Sequence, residues 1–137
     1  MGFYRSIVRP IFFLLPPETA HHVVMAGVRF ALWCAPLRWL VNRCLRSPRR
    51  AIGLEVEGLV FPNLVGVAAG FDKEGLLADG ARHLGFGFIE IGTVPPRPQP
   101  GNPKPRLFRL PKDGALINRM GFNSIGVEAV AGNLAMR

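Results

Sequence analysis

The stretch Leu-Val-Gly-Val-Ala-Ala-Gly-Phe-Asp-Lys at residues 64 to 73 constrains the fold more than any other part of the sequence. Its first six residues form an unbroken apolar run, which is typical of a strand buried on both faces because neither face meets water. Gly70 then ends the run, since glycine lets the backbone turn and lets another group approach it closely. We therefore predict a buried strand over residues 64 to 69 that ends in a turn.

The residues after this turn predict a helix and a second strand. Asp72 stands where a helix N-cap would stand, Glu74 suits the positive end of the helix dipole, and Gly85 suits a C-terminal stop. The apolar face of this helix would consist of Leu76, Leu77, Gly80, Ala81 and Leu84. Residues 88 to 93 follow as another short strand, so the order of elements predicts one βαβ unit.

Three helices are predicted in the N-terminal third. Apolar residues at helical spacing predict the first over residues 3 to 15, with an interruption at Pro10. The second begins within Pro16-Pro17-Glu18-Thr19, because proline suits the first helical position and an acid suits the first turn, and the third begins at Pro36. The third helix is amphipathic and carries arginines and Trp39 on its polar side.

Positive charge is concentrated in the same third. Residues 1 to 50 hold eight arginines and one glutamate, whereas residues 51 to 137 hold nine basic and eight acidic residues. This pattern favours a helical module that lies on an anionic membrane face, held by apolar burial and by arginine. A helical cap with merely solvated arginines remains the alternative. Nucleic acid is disfavoured as a partner, because the arginines are interleaved with packing residues.

A membrane-spanning helix is not the preferred interpretation. Residues 23 to 41 approach the length of about 20 residues that a span needs, but Arg29, Pro36 and Arg38 interrupt them. A cleaved signal peptide is also disfavoured, because no small-residue cleavage site follows the apolar run at residues 11 to 15.

The two cysteines, Cys34 and Cys44, are predicted to be free thiols of a reducing compartment. They have no histidine or cysteine neighbours at metal-ligand spacing, so the sequence predicts no metal site.

Two hairpins and a proline-rich connection complete the predicted elements. Residues 54 to 61 alternate apolar and charged side chains around a glycine, which predicts a hairpin with one wet face. Six prolines within residues 95 to 105 exclude helix and central strand and favour a rigid functional loop; a ligand for a proline-binding domain is the alternative. Residues 107 to 117 form a second hairpin around an Asp-Gly turn. A last helix, capped by Asn123 or Ser124, would carry Ile125, Val127, Val130 and Leu134 on its apolar face.

Polar residues follow the ends of the predicted strands, where ligands collect in sheets built from βα units. Lys73 supplies a cation at the end of the first strand, and Thr93 supplies a hydroxyl at the end of the next. Asn118 and Asn123 supply paired donors and acceptors that suit amide or carboxylate groups. Together these side chains suit a planar, anionic small molecule better than a metal ion or a peptide.

Four motifs in this sequence resemble a known family. They are Ala-Ala-Gly-Phe-Asp-Lys at residues 68 to 73, Gly-Phe-Gly-Phe-Ile-Glu-Ile-Gly-Thr at residues 85 to 93, the segment from Arg97 to Leu110, and Asn-Arg-Met-Gly-Phe-Asn at residues 118 to 123. In this order they resemble the class 2, quinone-dependent dihydroorotate dehydrogenases. The resemblance extends to Pro-Glu-Thr-Ala-His at residues 17 to 21, while Pro95 departs from the threonine common in that family.

This resemblance implies a (β/α)8 barrel enzyme that uses FMN to oxidise dihydroorotate to orotate in pyrimidine biosynthesis and passes the electrons to a membrane quinone. It implies that Ala69, Gly70, Phe71, Asp72, Lys73 and Thr93 hold FMN. It also implies that Lys73, Asn118, Arg119, Met120, Gly121 and Phe122 line the substrate pocket. The family's catalytic serine base has no counterpart in these 137 residues.

The resemblance also divides the chain into three parts. Residues 1 to 47 would be an amphipathic helical extension for membrane contact and quinone entry, and residues 48 to 63 a linker and a hairpin at the barrel bottom. Residues 64 to 137 would be the first βα units of a barrel that is incomplete here, so we expect an N-terminal fragment that is inactive alone. The expected location is peripheral, on the inner face of the cell membrane or of an organelle inner membrane. A non-catalytic membrane-associated remnant is the alternative.

Overall fold

A computed structural model describes residues 2 to 45 and 53 to 136. The predicted linker at residues 48 to 52, and with it the predicted boundary at residue 47, lies outside the described residues. The elements are a π-helical turn at Tyr4–Val8, α1 at Arg9–Phe13, α2 at Pro17–Trp33, α3 at Ala35–Leu45, β1 at Leu54–Val56, β2 at Leu59–Phe61, a 3-10 helix at Ala81–Leu84, β3 at Leu107–Leu110, β4 at Ala115–Asn118 and α4 at Val127–Ala135.

The three predicted N-terminal helices are confirmed. α2 begins at Pro17, within the segment predicted for its start, and α3 begins one residue before Pro36. Pro10 does not interrupt the first helix, because it lies in the first turn of α1, where no backbone N–H donor is needed. Ala20 and Met25 are the buried residues of α2.

No single helix in residues 2 to 45 and 53 to 136 has the length and apolar character needed to cross a membrane. The segments Tyr4–Phe13 and Pro17–Trp33 meet both criteria only as a pair, and the chain bends by 117° between them.

Both predicted hairpins form, but the prediction of one wet face for the first is wrong, since its strands are exposed on both faces except at the half-buried Phe61. β1 pairs with β2 in antiparallel fashion, with Leu54 opposite Phe61. β3 pairs with β4 in the same fashion, with Leu107 opposite Asn118. The turn of the second hairpin contains Gly114 at a φ of +62°, a backbone conformation that glycine adopts without strain.

The two stretches of the predicted βαβ unit run parallel, but the first is neither a long strand nor buried on both faces. Val67 donates to the carbonyl of Phe88 (3.0 Å), and Glu90 donates to the carbonyl of Val67 (2.9 Å). Val67 is buried, whereas Leu64 and Val65 are 57% and 60% exposed. The prediction of two buried faces is wrong because, within the part of the chain described, no third strand pairs with these two stretches.

The predicted helix after Asp72 is also wrong for most of its length, since turns precede the short 3-10 helix Ala81–Leu84. Gly75 has a φ of +69°, and a left-handed residue at this point interrupts a right-handed helix. The predicted stop at Gly85 is confirmed, since this residue caps the 3-10 helix at a φ of +83°.

The last helix forms, but its predicted cap is wrong. Gly126, with a φ of +87°, precedes α4, and no side chain caps the helix. Ser124 pairs with Gln99 in an antiparallel bridge through two backbone hydrogen bonds of 3.0 Å each, and its Oγ accepts from the N–H of Gly126 (3.2 Å), which precedes the first turn of the helix. A Cβ atom at position 126 would lie 2.8 Å from Pro98, so only glycine fits between the proline-rich loop and α4.

Candidate functional site

A cleft of about 510 Å³ lies between the N-terminal half of α2 and the ends of the parallel stretches. α2 contributes His21 and Met25 to one wall, and the β3–β4 hairpin contributes Leu107 and Leu116. The turn after the first parallel stretch and the 118–123 loop, which follows β4, close the other sides. The cleft therefore brings together the helical extension and the predicted ligand-contacting segments.

The turn at residues 69 to 71 is exposed next to the end of the second parallel stretch. Gly70 has a φ of +91° and donates its N–H to the carbonyl of Gly92 (2.9 Å), which places the turn close to Thr93. Among the residues that the structure describes, none has an atom within 4 Å of where a Cβ atom at position 70 would lie, so the backbone there is open to an approaching group. A flat ring system could approach this turn without displacing any side chain.

Asp72 stabilises the turn from inside. Its side chain is 1% exposed, and its two oxygens accept hydrogen bonds from the N–H groups of Leu76 (2.8 Å) and Leu77 (2.6 Å). The carboxylate therefore caps the turns that replace the predicted helix, two residues further along than an N-cap would. Because both oxygens are engaged, the side chain holds the shape of the turn.

Lys73 connects this turn to the 118–123 loop. Its Nζ donates to Oδ1 of Asn123 at 2.6 Å, across 50 positions of sequence. Burial lowers the pKa of Lys73 and the neighbouring Arg106 charge lowers it further, while Glu18 acts in the opposite direction. A cation that is partly desolvated in this way attracts an anionic ligand more strongly than a lysine in open water.

The proline-rich loop holds the 118–123 loop in place. Asn102 does not line the cleft, but it donates two hydrogen bonds to the loop. Its side chain donates to the carbonyl of Arg119 (2.7 Å), and its N–H donates to the carbonyl of Met120 (2.9 Å). The side chain of Gln99 donates to the carbonyl of Phe122 (2.8 Å). Within the loop, Oδ1 of Asn118 accepts from the N–H of Met120 (2.9 Å). The loop's backbone is thus held at the carbonyl groups of Arg119, Met120 and Phe122.

Arg106 and Glu18 form an ion pair that sequence reasoning missed. Arg106 Nη2 lies 2.6 Å from one oxygen of Glu18, and Nε lies 3.2 Å from the other. The Arg106 side chain is 7% exposed and the Glu18 side chain 14%. The exposed Lys104 approaches the same carboxylate at 3.4 Å. Hydrogen bonding from Arg106 lowers the pKa of Glu18 against the opposing effect of burial, and the same bond raises the pKa of Arg106.

We expect the contribution of this ion pair to stability to disappear in acid. Because the pKa of Glu18 in the folded chain lies below its ordinary value of 4.5, the pair stabilises the fold above that pH and stops doing so as pH falls through the lowered pKa. Glu18→Gln should therefore lower the free energy of unfolding by about 1 to 3 kcal/mol at pH 7, and this loss should shrink as pH falls through the lowered pKa. Urea unfolding over a series of pH values from neutral to acid measures this, with Glu128→Gln in α4 as control. A loss that stays equal over the whole series contradicts the assignment.

Further contacts join the extension to the cleft. Arg109 donates to the carbonyl of Leu15 (2.6 Å) and stacks over the ring of Phe13 at 4.5 Å. His21 on α2 packs edge-on against Phe71, with ring centroids 5.1 Å apart. Burial lowers the pKa of His21, which favours its neutral form.

The cleft lining contains part of the predicted site. The predicted residues in the lining are Gly70, Phe71, Asp72, Lys73, Asn118 and Met120. The predicted residues that do not line the cleft are Ala69, Thr93, Arg119, Gly121 and Phe122. Asn123, whose amide the sequence marked, is also in the lining. The roles of Glu18, Arg106 and Asn102 were missed because their partners are remote in sequence. The sequence pointed to these residues only as members of the family motifs at residues 17 to 21 and 97 to 110.

In the described segments 2 to 45 and 53 to 136, no group of three or more His, Cys, Asp or Glu side chains is placed to hold a metal ion. Both cysteines are free thiols, as predicted.

Comparison with known proteins decides the family. The sequence model of the family described as dihydroorotate dehydrogenase matches residues 52 to 137. The chain belongs to the dihydroorotate dehydrogenase family. The resemblance carried by the four motifs is therefore confirmed.

Curated relatives support the class as well. The chain is 54% identical over 124 residues to a protein of Methylococcus capsulatus named dihydroorotate dehydrogenase (quinone), and the match covers 90% of this chain and 35% of that protein. A protein of Aromatoleum aromaticum with the same name is 50% identical over 129 residues, covering 94% and 35%. The chain thus spans about a third of the length of these relatives.

A solved structure gives the same result. The crystal structure of the dihydroorotate dehydrogenase of Eimeria tenella in complex with ferulenol matches with a TM-score of 0.67 and 42% identity, covering 88% of this chain and 30% of that one. The α/β arrangement seen here is therefore consistent with part of a barrel enzyme of this family.

Proposed function

We propose that this chain supplies the quinone-side extension and the first part of the flavin and substrate site of a quinone-dependent dihydroorotate dehydrogenase. The observation that carries the proposal is the 2.6 Å contact between Lys73 and Asn123. It joins the turn after the first parallel stretch to the 118–123 loop inside a cleft whose other wall is α2. The reaction would be the oxidation of dihydroorotate to orotate in pyrimidine biosynthesis.

The residues around Gly70 fit FMN. The backbone at Gly70 faces open space, and Ala69, Phe71 and Thr93 are exposed around it, so a flat ring can lie against this surface. When bound there, FMN would accept a hydride equivalent from the substrate and pass electrons on to the quinone. In this proposal the turn from Ala69 to Lys73 and the side chain of Thr93 hold the flavin. Asp72 contributes indirectly, because its carboxylate stabilises the conformation of the turn.

The substrate would be held by charge and by amide groups. Lys73 supplies a partly desolvated cation for the carboxylate of dihydroorotate. Asn118, Arg119, Met120, Gly121 and Phe122 form the loop that would line the pocket, and the proline-rich loop orients it. Holding the substrate still against the flavin is the main contribution that these residues can make to the rate.

The helical extension would receive the quinone. Its wall of the cleft contains Met25 and a His21 whose lowered pKa favours the uncharged ring, so an apolar ring can enter between α2 and the hairpin. Outside the cleft, the extension exposes large apolar side chains: Phe3 (71%), Tyr4 (62%), Leu14 (85%), Phe30 (58%), Trp33 (79%) and Trp39 (66%). Arginines lie among them, which suits peripheral contact with an anionic membrane on the inner face of the cell membrane or of an organelle.

We propose that the 137 residues alone do not catalyse the reaction. A (β/α)8 barrel takes about 200 residues or more, and the described residues contain one parallel bridge and two hairpins. The catalytic base would come from other sequence. The second candidate, a membrane-associated module without catalysis, rests on the exposed apolar surface of the extension and predicts membrane contact without flavin.

A hybrid enzyme tests the proposal. It consists of residues 1 to 137 of this chain followed by the part of the Methylococcus capsulatus relative that comes after its matched segment. We expect the purified hybrid to be yellow and to reduce a short-chain ubiquinone when dihydroorotate is added, whereas the 137-residue chain alone does neither. A soluble, folded hybrid without flavin or activity contradicts the enzyme proposal and favours the second candidate.

The membrane part of the proposal has its own test. We expect the full 137-residue chain to sediment with vesicles of phosphatidylcholine and phosphatidylglycerol, and to do so less at high salt because arginine attraction is screened. A double variant, Trp33→Ser with Trp39→Ser, removes two exposed rings and should lower vesicle binding about tenfold or more. The exposed Lys112→Ser in the β3–β4 turn serves as control. Unchanged binding of the double variant contradicts a membrane role for this surface.

A further inference from the structure

The guanidinium group of Arg106 joins two parts of the chain that are far apart in sequence. Nε and Nη2 hold the carboxylate of Glu18, at the start of α2, in a two-pronged contact. Nη1 donates to the carbonyls of Pro100 (2.6 Å) and Asn102 (3.1 Å) in the proline-rich loop. All three nitrogens of a side chain that is 7% exposed are therefore engaged, and they bind α2 to that loop.

The connection continues to the 118–123 loop. Asn102, held by Arg106 through its carbonyl, donates to the carbonyls of Arg119 and Met120. The N–H of Arg119 in turn donates to the carbonyl of Arg106 (2.9 Å). Gly101, at a φ of +74°, lies so close to the Met120 carbonyl that a Cβ atom there would clash with it. The two loops thus share one tightly packed hydrogen-bond network.

We infer that Glu18 is a positioning residue, which acts through Arg106 to set the conformation of the 118–123 loop. A carboxylate on the helical extension, which itself lies in the cleft lining, would then control the shape of the loop surface that faces the substrate. The statement about substrate rests on the proposed function. The statement about the loop rests on the hydrogen bonds alone.

The ion pair between Glu18 and Arg106 affects the loop through charge as well as through its shape. Without Glu18, the buried Arg106 keeps its charge but loses its anion, and an unpaired buried charge forces its surroundings to rearrange or admit water. The carbonyls of Pro100 and Asn102 are its remaining partners, so the rearrangement falls on the proline-rich loop first. Lys104 cannot replace the contact, because it is another cation and its side chain is 65% exposed.

Amide hydrogen exchange in the full 137-residue chain tests the loop. We expect Glu18→Gln to speed exchange at Asn102, Arg119 and Ser124 about tenfold more than at Val130 in α4, whose buried amide reports only the change in global stability. Lys104→Gln, which removes only the exposed cation, should change none of these rates. Unchanged exchange in the loop overturns the inference. So does an equal increase throughout the chain, since that indicates general loss of stability.

The hybrid enzyme tests the consequence for substrate. We expect Glu18→Gln to raise KM for dihydroorotate several-fold, with kcat changed less. Glu18→Asp keeps the charge, so its KM should lie between those of the parent hybrid and Glu18→Gln. Lys104→Gln should have the KM of the parent. An unchanged KM overturns the link to substrate. If the parent hybrid itself is inactive, the proposed function fails while the exchange experiment still decides the role of Glu18.

Discussion

Lys73→Ala in the hybrid enzyme is expected to lower kcat/KM for dihydroorotate by about 100-fold or more while the fold stays intact. Lys73 lies between the turn at residues 69 to 71 and the 118–123 loop, with its Nζ 2.6 Å from Asn123 Oδ1. Removing one placed donor from a desolvated site typically costs about 100 to 1000-fold in rate. Steady-state kinetics with a short-chain quinone measures the loss.

The control for this prediction is Lys112→Ala, which removes a lysine from the exposed turn between β3 and β4. We expect it to keep the parent activity, and both variants to keep the circular dichroism spectrum. Bound flavin is measured in the same samples, because Lys73 is proposed to contact FMN as well as substrate. Undiminished turnover by Lys73→Ala would remove the role assigned to this residue.

Asp72→Ala is expected to lower the free energy of unfolding of the 137-residue chain by about 2 to 5 kcal/mol. The substitution removes a carboxylate that is 1% exposed and leaves the N–H groups of Leu76 and Leu77 without their acceptors. Asp72→Asn keeps one acceptor oxygen and should lose about half as much. Urea unfolding followed by circular dichroism measures both.

Asp113→Asn in the hairpin turn is the matched control, because the residue is exposed and the change should stay within about 0.5 kcal/mol. Equal stabilities of Asp72→Ala and Asp113→Asn would show that the buried carboxylate does not hold the turn. In the hybrid enzyme, loss of flavin from Asp72→Ala without loss of secondary structure would show that the turn it supports belongs to the flavin surface.

Local sequence signals predicted the elements whose causes are local. Pro17 starts α2, Gly85 ends the 3-10 helix, and the Asp-Gly pair turns the β3–β4 hairpin. Each of these depends on the backbone preference of one or two residues, which the sequence states directly. The family could also be predicted from local sequence, because each of its motifs is a contiguous run of residues.

The errors arise where a distant contact overrides a local preference. Asp72 has the position of an N-cap, but Gly75 adopts a left-handed conformation and the carboxylate reaches Leu76 and Leu77 instead. Ser124 could cap α4, but a bridge to Gln99 keeps it in extended backbone and Gly126 precedes the helix, so its Oγ accepts from the N–H of Gly126 instead. A one-dimensional pattern contains no information about such partners.

The sequence by itself determined the family, the three N-terminal helices and the two hairpins, and it predicted Lys73, Thr93, Asn118 and Asn123 as residues that could contact a ligand. The tertiary structure alone decided that Lys73 meets Asn123 and that Glu18 meets Arg106, 88 positions away. The physical reason is that hydrogen bonds and ion pairs act over about 3 Å in space, whatever the separation along the chain. The buried strand of residues 64 to 69 shows the same limit, because burial on two faces requires neighbours that no local pattern supplies.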